Sequence, residues 1–71
     1  MVNTDKLVGA IVSAGYTVKT GAKAIGMPES TMYRKLERGV FDSDEIYEMI
    51  RTFHIEDIAG IFFAEKKGRR K

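Results

Sequence analysis

Apolar residues recur along this chain at spacings of three and four, and no stretch alternates with period two, so the pattern predicts helices throughout. Leu7, Ile11 and Ala14 share one face of a first helix that Asn3 or Thr4 can cap and Gly15 ends. Thr17 is the next capping residue, for a short second helix expected over about residues 18–25. Gly21 lowers the intrinsic propensity of that helix, which leaves packing to hold it, and Gly26 supplies a left-handed exit. Pro28 suits the first turn of a third helix because its missing N–H would lack a partner there, and Glu29 favours the positive end of the helix dipole. The third helix is expected over about residues 28–38, closed by Gly39. Asp42 followed by Glu45 reads as a capping box for a fourth, along which Ile46, Met49, Ile50 and Phe53 form a complete core-facing stripe. A fifth helix is expected over about residues 56–64, presenting Ile58, Ile61 and Phe62 to the core. With no internal repeat and no linker, the pattern implies an all-α fold, one compact five-helix domain over residues 1–65 followed by a basic tail at 66–71.

Seventy-one residues suffice for one domain with a single small core. At 44% hydrophobic and 31% charged residues the composition is that of a globular chain, with enough apolar content to offset its ordering entropy. There is no cysteine, so neither a disulfide framework nor a cysteine-bearing zinc site can staple the fold. His54 is the only histidine and has no second ligand or nucleophile beside it, which leaves little material for metal chemistry or a catalytic triad. No enzyme, cofactor, metal or small-molecule substrate is expected. The apolar stretch from Leu7 to Ala14 is short and follows no basic region, so neither a secretory signal nor a membrane span is read, and a cytoplasmic location is expected.

Charge changes the picture more than composition does, because the net +2 conceals a strong segregation. Residues 1–41 carry six cations against three anions, residues 42–65 carry Arg51 against seven anions, and residues 66–71, KKGRRK, add five cations. The molecule is expected to be electrically two-sided with a cationic tail. That tail could follow a DNA backbone or enter a minor groove, meet an acidic partner, or serve as a solubilising end.

Two short helices separated by a tight turn at Gly26 cannot both lie flat on one core, and the small residues Gly21 and Ala22 permit a close crossing. That is the helix-turn-helix arrangement, whose second helix is presented outward. The stretch TVKTGAKAIGMPESTMYRKLERG, residues 17–39, resembles the Cro/CI-like (XRE-type) family of phage and bacterial repressors, which commonly reads Thr-Gln-x-x-Leu-Ala-x-x-Leu-Gly-Ile-Ser-x-Ser-Thr-Ile-Ser-Arg. Thr17, Ala22, Ile25, Gly26, Met27, Ser30, Thr31, Met32 and Arg34 agree or are close replacements. Four positions depart: Val18 stands where the family often has a DNA-contacting glutamine, Gly21 for leucine, Pro28 for a capping serine, and Lys35 for an apolar residue, with Leu36 taking over the core position. The resemblance covers most of the chain apart from the tail. It implies a Cro/CI-repressor-like domain acting as a small phage-type transcriptional regulator.

Met32 and Leu36 lie one turn apart and are expected to face the core, leaving Glu29, Ser30, Arg34 and Tyr33 outward or to the flank. Arg34 could read a guanine through two hydrogen bonds, Ser30 and Thr31 could reach base or phosphate, Tyr33 a thymine methyl or phosphate, and Glu29 a cytosine amino group. Lys19, Lys23 and Arg38 would meet phosphates and set the register. With Thr17 and Lys35 these make the candidate DNA-binding set, and double-stranded DNA the expected partner. The bland alternative is a solvated helix face carrying scattered solubilising charge. The acidic residues Glu45, Glu48, Glu56 and Asp57 are expected on outer faces and first turns of the last two helices, and His54 at the end of the fourth.

Ile61, Phe62 and Phe63 give more apolar surface than one helix face needs, since Phe63 lies about 100° around from Phe62. Either the first helix covers it or a second copy does, in a homodimer of the kind that paired half-sites favour. A different functional class also fits: an antirepressor or modulator that binds a phage repressor protein, using Val18, Met27, Tyr33 or the Phe62–Phe63 region, with the acidic half as a mimic of DNA charge.

Overall fold

Helix α1 (Thr4–Ser13) starts where the Asn3 side chain accepts from the Lys6 N–H at 3.1 Å, so the cap is Asn3 and not Thr4. The computed structural model describes residues 2–63, which form five helices and, among the described residues, no strand. The basic tail at residues 66–71, and the boundary expected for it after residue 65, lie outside the described residues. None of the helices described is long and apolar enough to cross a membrane.

α2 (Val18–Ala24) opens with a reciprocal cap. The Thr17 hydroxyl oxygen accepts from the Thr20 N–H at 3.1 Å, while the Thr20 hydroxyl oxygen accepts from the Thr17 N–H at 2.9 Å. Two first-turn donors are thereby satisfied at the start of a helix that Gly21 would otherwise weaken. The glycine repays that weakness in packing: a Cβ built at position 21 would lie 3.1 Å from Ile11 Cγ2 and 3.2 Å from the Phe53 ring. A side chain at that point would require Ile11 and Phe53 to give way by a few tenths of an ångström. Gly26, at φ +75°, turns the chain toward α3 (Glu29–Arg38). Pro28 stands one position before α3, with ψ 145°, and gives it no side-chain cap.

Gly39, at φ +73°, ends α3, and the chain reaches α4 (Ser43–Phe53) by way of buried Phe41. His54 ends α4 in the left-handed region, φ 55° and ψ 48°, and the Ile55 N–H returns to the Ile50 carbonyl at 3.1 Å. The last helix, α5 (Ile58–Phe62), is shorter than expected. Its start shifts to Ile58 because the Asp57 carboxylate accepts from the Gly60 N–H at 3.0 Å, making Asp57 the cap. A Cβ at Gly60 would overlap that carboxylate.

One core holds the helices together. Leu7, Ile11, Met32 and Met49 are fully buried, with Phe53, Phe62, Ile61, Ile55 and Met27 almost so. Burying each such side chain stabilises the fold by about 1.5–3 kcal/mol before entropy is counted. α1 packs on α2, α4 and α5, and α2 packs on α3, so α1 is the central strut. Tyr16, between α1 and α2, meets the Phe53 ring edge-on at 5.4 Å. The segment before α1 is tied by main chain to the end of α3 and to α5: the Val2 N–H donates to the Gly39 carbonyl at 3.1 Å and the Asn3 N–H to the Ile61 carbonyl at 2.6 Å.

Three apolar expectations change. Ile58 is 37% exposed and lies off the core, because the late start of α5 turns Ile61 and Phe62 inward and leaves the first helical residue outside. Phe63 is 65% exposed and α1 does not cover it. Ile61 and Phe62 are buried in this chain's own core, so of the three residues considered for a dimer or partner contact only Phe63 is free to make one. Leu36 packs against the core, as its spacing from Met32 predicts.

Candidate functional site

Helix α3 has a sharp division between faces. Met32 beneath is wholly buried and Leu36 packs on the same core, while Glu29, Ser30, Tyr33, Arg34 and Arg38 are exposed and Thr31 is half-buried at the flank. The sorting follows from helical geometry, since residues three and four apart share a face and those between them do not. Tyr33, at 52% exposed, is an aromatic ring left largely in solvent on the same outer surface as Arg34. Among the described residues these outward side chains make no hydrogen bond or ion pair within the molecule.

Lys19 and Lys23 are exposed on α2, four residues apart and so on one face, and α2 packs directly against α3. Four exposed cations, Lys19, Lys23, Arg34 and Arg38, thus belong to two helices in mutual contact, with Glu29 and Glu37 the only anions on them. Thr17 is exposed, but its hydroxyl is engaged with Thr20 at the start of α2, so its role in the structure is that of a cap.

Lys35 does not join this surface. It turns toward α4, where Nζ lies 2.6 Å from Glu45 Oε2 and 3.7 Å from Asp42 Oδ2. The Lys35 and Glu45 side chains are each only 22% exposed. Glu45 uses its other oxygen to accept from the Asp42 N–H at 2.8 Å, so one carboxylate caps α4 and holds a residue of α3. The hydrogen bond to Glu45 raises the Lys35 pKa above its ordinary value, against a smaller opposing effect of desolvation. For Glu45, desolvation pushes upward, but the Lys35 hydrogen bond, the Asp42 N–H and the Lys35 charge together outweigh it and hold the carboxyl below its ordinary range. The sequence places Lys35 among the candidate DNA contacts, yet the structure ties it to α4. Asp42 and Glu45 were legible as a capping box, but the partner that the second carboxylate oxygen takes from α3 was not, because no periodicity links residues ten apart on two helices.

The described anionic residues of the second half lie on α4 and in the segments just before α4 and α5. Asp42, Asp44, Glu56 and Asp57 are exposed around the starts of these helices, and Arg51 there lies over the Tyr47 ring at 5.9 Å. Lys6 approaches Asp57 to 3.9 Å in an exposed pair. No group of three or more histidine and acidic side chains is arranged to hold a metal ion, and no pocket opens, among the described residues. Met27, considered as a partner contact, is buried, and Val18 packs against the core. Comparison of the chain with protein-family models, curated proteins and solved structures finds no match.

Proposed function

We propose that this chain is a small transcriptional regulator of helix-turn-helix type, similar to phage Cro-like repressors, in which α2 and α3 form the motif and α3 enters the major groove of operator DNA. The observation that carries this reading is the outer face of α3: hydroxyl, phenol and guanidinium groups stand exposed without internal partners, on a helix anchored from below by fully buried Met32. These are the groups that base edges and phosphates accept. Arg34 is the base-reading residue, with Ser30, Thr31, Tyr33 and Glu29 beside it; Lys19, Lys23 and Arg38 meet phosphates on the flanks. The anionic residues of α4 and of the segment before α5 would face away from the duplex, where their repulsion is least. No cofactor enters the proposal.

Retardation of duplex DNA from the chain's own control region by the purified protein tests it. Arg34→Ala should weaken specific binding by about 5- to 150-fold, the equivalent of about 1–3 kcal/mol for a bidentate base contact, and affect non-specific binding much less. Absence of retardation, or an unchanged specific affinity in the variant, contradicts the reading. A second reading, a modulator that binds another repressor protein, is favoured by Val18 in place of a polar contact and by the exposed rings of Tyr33 and Phe63. Retardation that appears only when the neighbouring repressor is added would select it.

A further inference from the structure

We infer that Glu45 is a positioning residue for the nucleic-acid surface: it withdraws Lys35 from phosphate contact and uses it to fix the end of α3 against the start of α4. The inference rests on the DNA-binding reading and deepens it by dividing the five cations of α2 and α3 into four that are free and one that is committed.

The geometry argues for commitment and against a casual surface pair. Glu45 is held at both oxygens, by the Asp42 N–H at 2.8 Å and by Lys35 Nζ at 2.6 Å, so its position is set by the start of α4 before it meets the lysine. Lys35 is held at both ends as well. Its carbonyl accepts from the Gly39 N–H at 2.8 Å, which closes α3, while its ammonium reaches across to α4. Side chain and main chain of one residue therefore tie the corner between the two helices. A lysine with a charged partner at 2.6 Å has to lose that interaction to contact a phosphate, whereas Lys19, Lys23, Arg34 and Arg38 break no ion pair among the described residues.

The number of phosphates neutralised can be counted from the salt dependence of binding, where each contact contributes about −0.9 to the slope of log affinity against log salt. The test measures this slope for the full chain on duplex DNA, and for Lys35→Met, Glu45→Gln and Arg38→Gln. Methionine keeps the aliphatic stem of Lys35, and glutamine keeps an oxygen for the Asp42 N–H. Expected are an unchanged slope in Lys35→Met, a slope flatter by about 0.9 in Arg38→Gln, and one steeper by up to about 0.9 in Glu45→Gln, where the freed lysine joins its neighbours. If Lys35→Met unfolds because Glu45 is left without its partner, the Lys35→Met/Glu45→Met pair, which leaves no lone charge, takes its place with a slope equal to the parent's. A slope flattened by about 0.9 in Lys35→Met overturns the inference and leaves the DNA reading standing. A flat slope in the parent overturns both.

Discussion

An aromatic ring stands exposed on α3, at Tyr33, and another just after α5, at Phe63, but the two helices are built in opposite ways. α3 has ten residues, a left-handed glycine at its end, a buried methionine beneath and a polar outer face. α5 has five residues, buries Ile61 and Phe62 in the core, and leaves outside only Ile58 on the helix and Phe63 just beyond its end. A long, internally braced helix can present hydrogen-bonding groups in fixed positions, as groove recognition requires. A short apolar one can close a core and offer only hydrophobic contact. On the reading proposed above, the difference separates a surface offered to nucleic acid from one, at Phe63, offered to protein.

The largest effect is expected where the support beneath α3 is removed. Met32→Ala should cost about 2–5 kcal/mol in urea unfolding, whereas Ser30→Ala on the outer face should change stability by less than about 0.5 kcal/mol. Equal costs at the two positions would mean that α3 has no outer face. Gly21→Leu, which restores the residue usual in the Cro/CI-like pattern, should cost at least about 1–3 kcal/mol, because even its Cβ meets Ile11 and Phe53. A neutral result would show that α2 can move away from α1 and α4.

The ion pair between α3 and α4 makes stability depend on pH. A carboxyl held below its ordinary pKa of about 4.3 adds stability that is complete above that pH and fades as pH falls through the lower folded value. A lysine held above about 10.4 adds stability that is complete below that pH and fades as pH rises through the higher folded value. Thermal unfolding should therefore show Glu45→Gln less stable than the parent near neutrality, with the gap narrowing below about pH 4. A gap constant down to pH 2 would contradict the ion pair. The smallest effect is expected at His54, the only non-glycine residue in the left-handed region among the described residues. His54→Gly should raise stability by roughly 0.5 kcal/mol, the relief of about 1–2 kcal/mol of backbone strain less the greater freedom of glycine in the unfolded chain.

Helix number and most boundaries were legible because capping residues and apolar spacing agree locally: Thr17, Gly26, Gly39 and Asp42 each mark a turn that chain geometry needs. The inner face of α3 was legible for the same reason, Met32 and Leu36 standing one turn apart. Two kinds of fact were not. The true start of α5 depends on a bond between Asp57 and Gly60 that competes with an equally periodic start at Glu56. The loss of Lys35 from the outer surface depends on α4 arriving beside it, a tertiary event that composition and spacing along one helix do not encode.

On the proposed reading the exposed faces of α2 and α3 meet the duplex, and the anionic residues of α4 and of the segment before α5 do not. Amide NMR of the full chain titrated with duplex DNA at low salt tests it most directly. Shifts should concentrate at residues 17–23 and 29–38, with residues 44–51 little changed. Shifts centred on α4 and α5, or none at all, would contradict it.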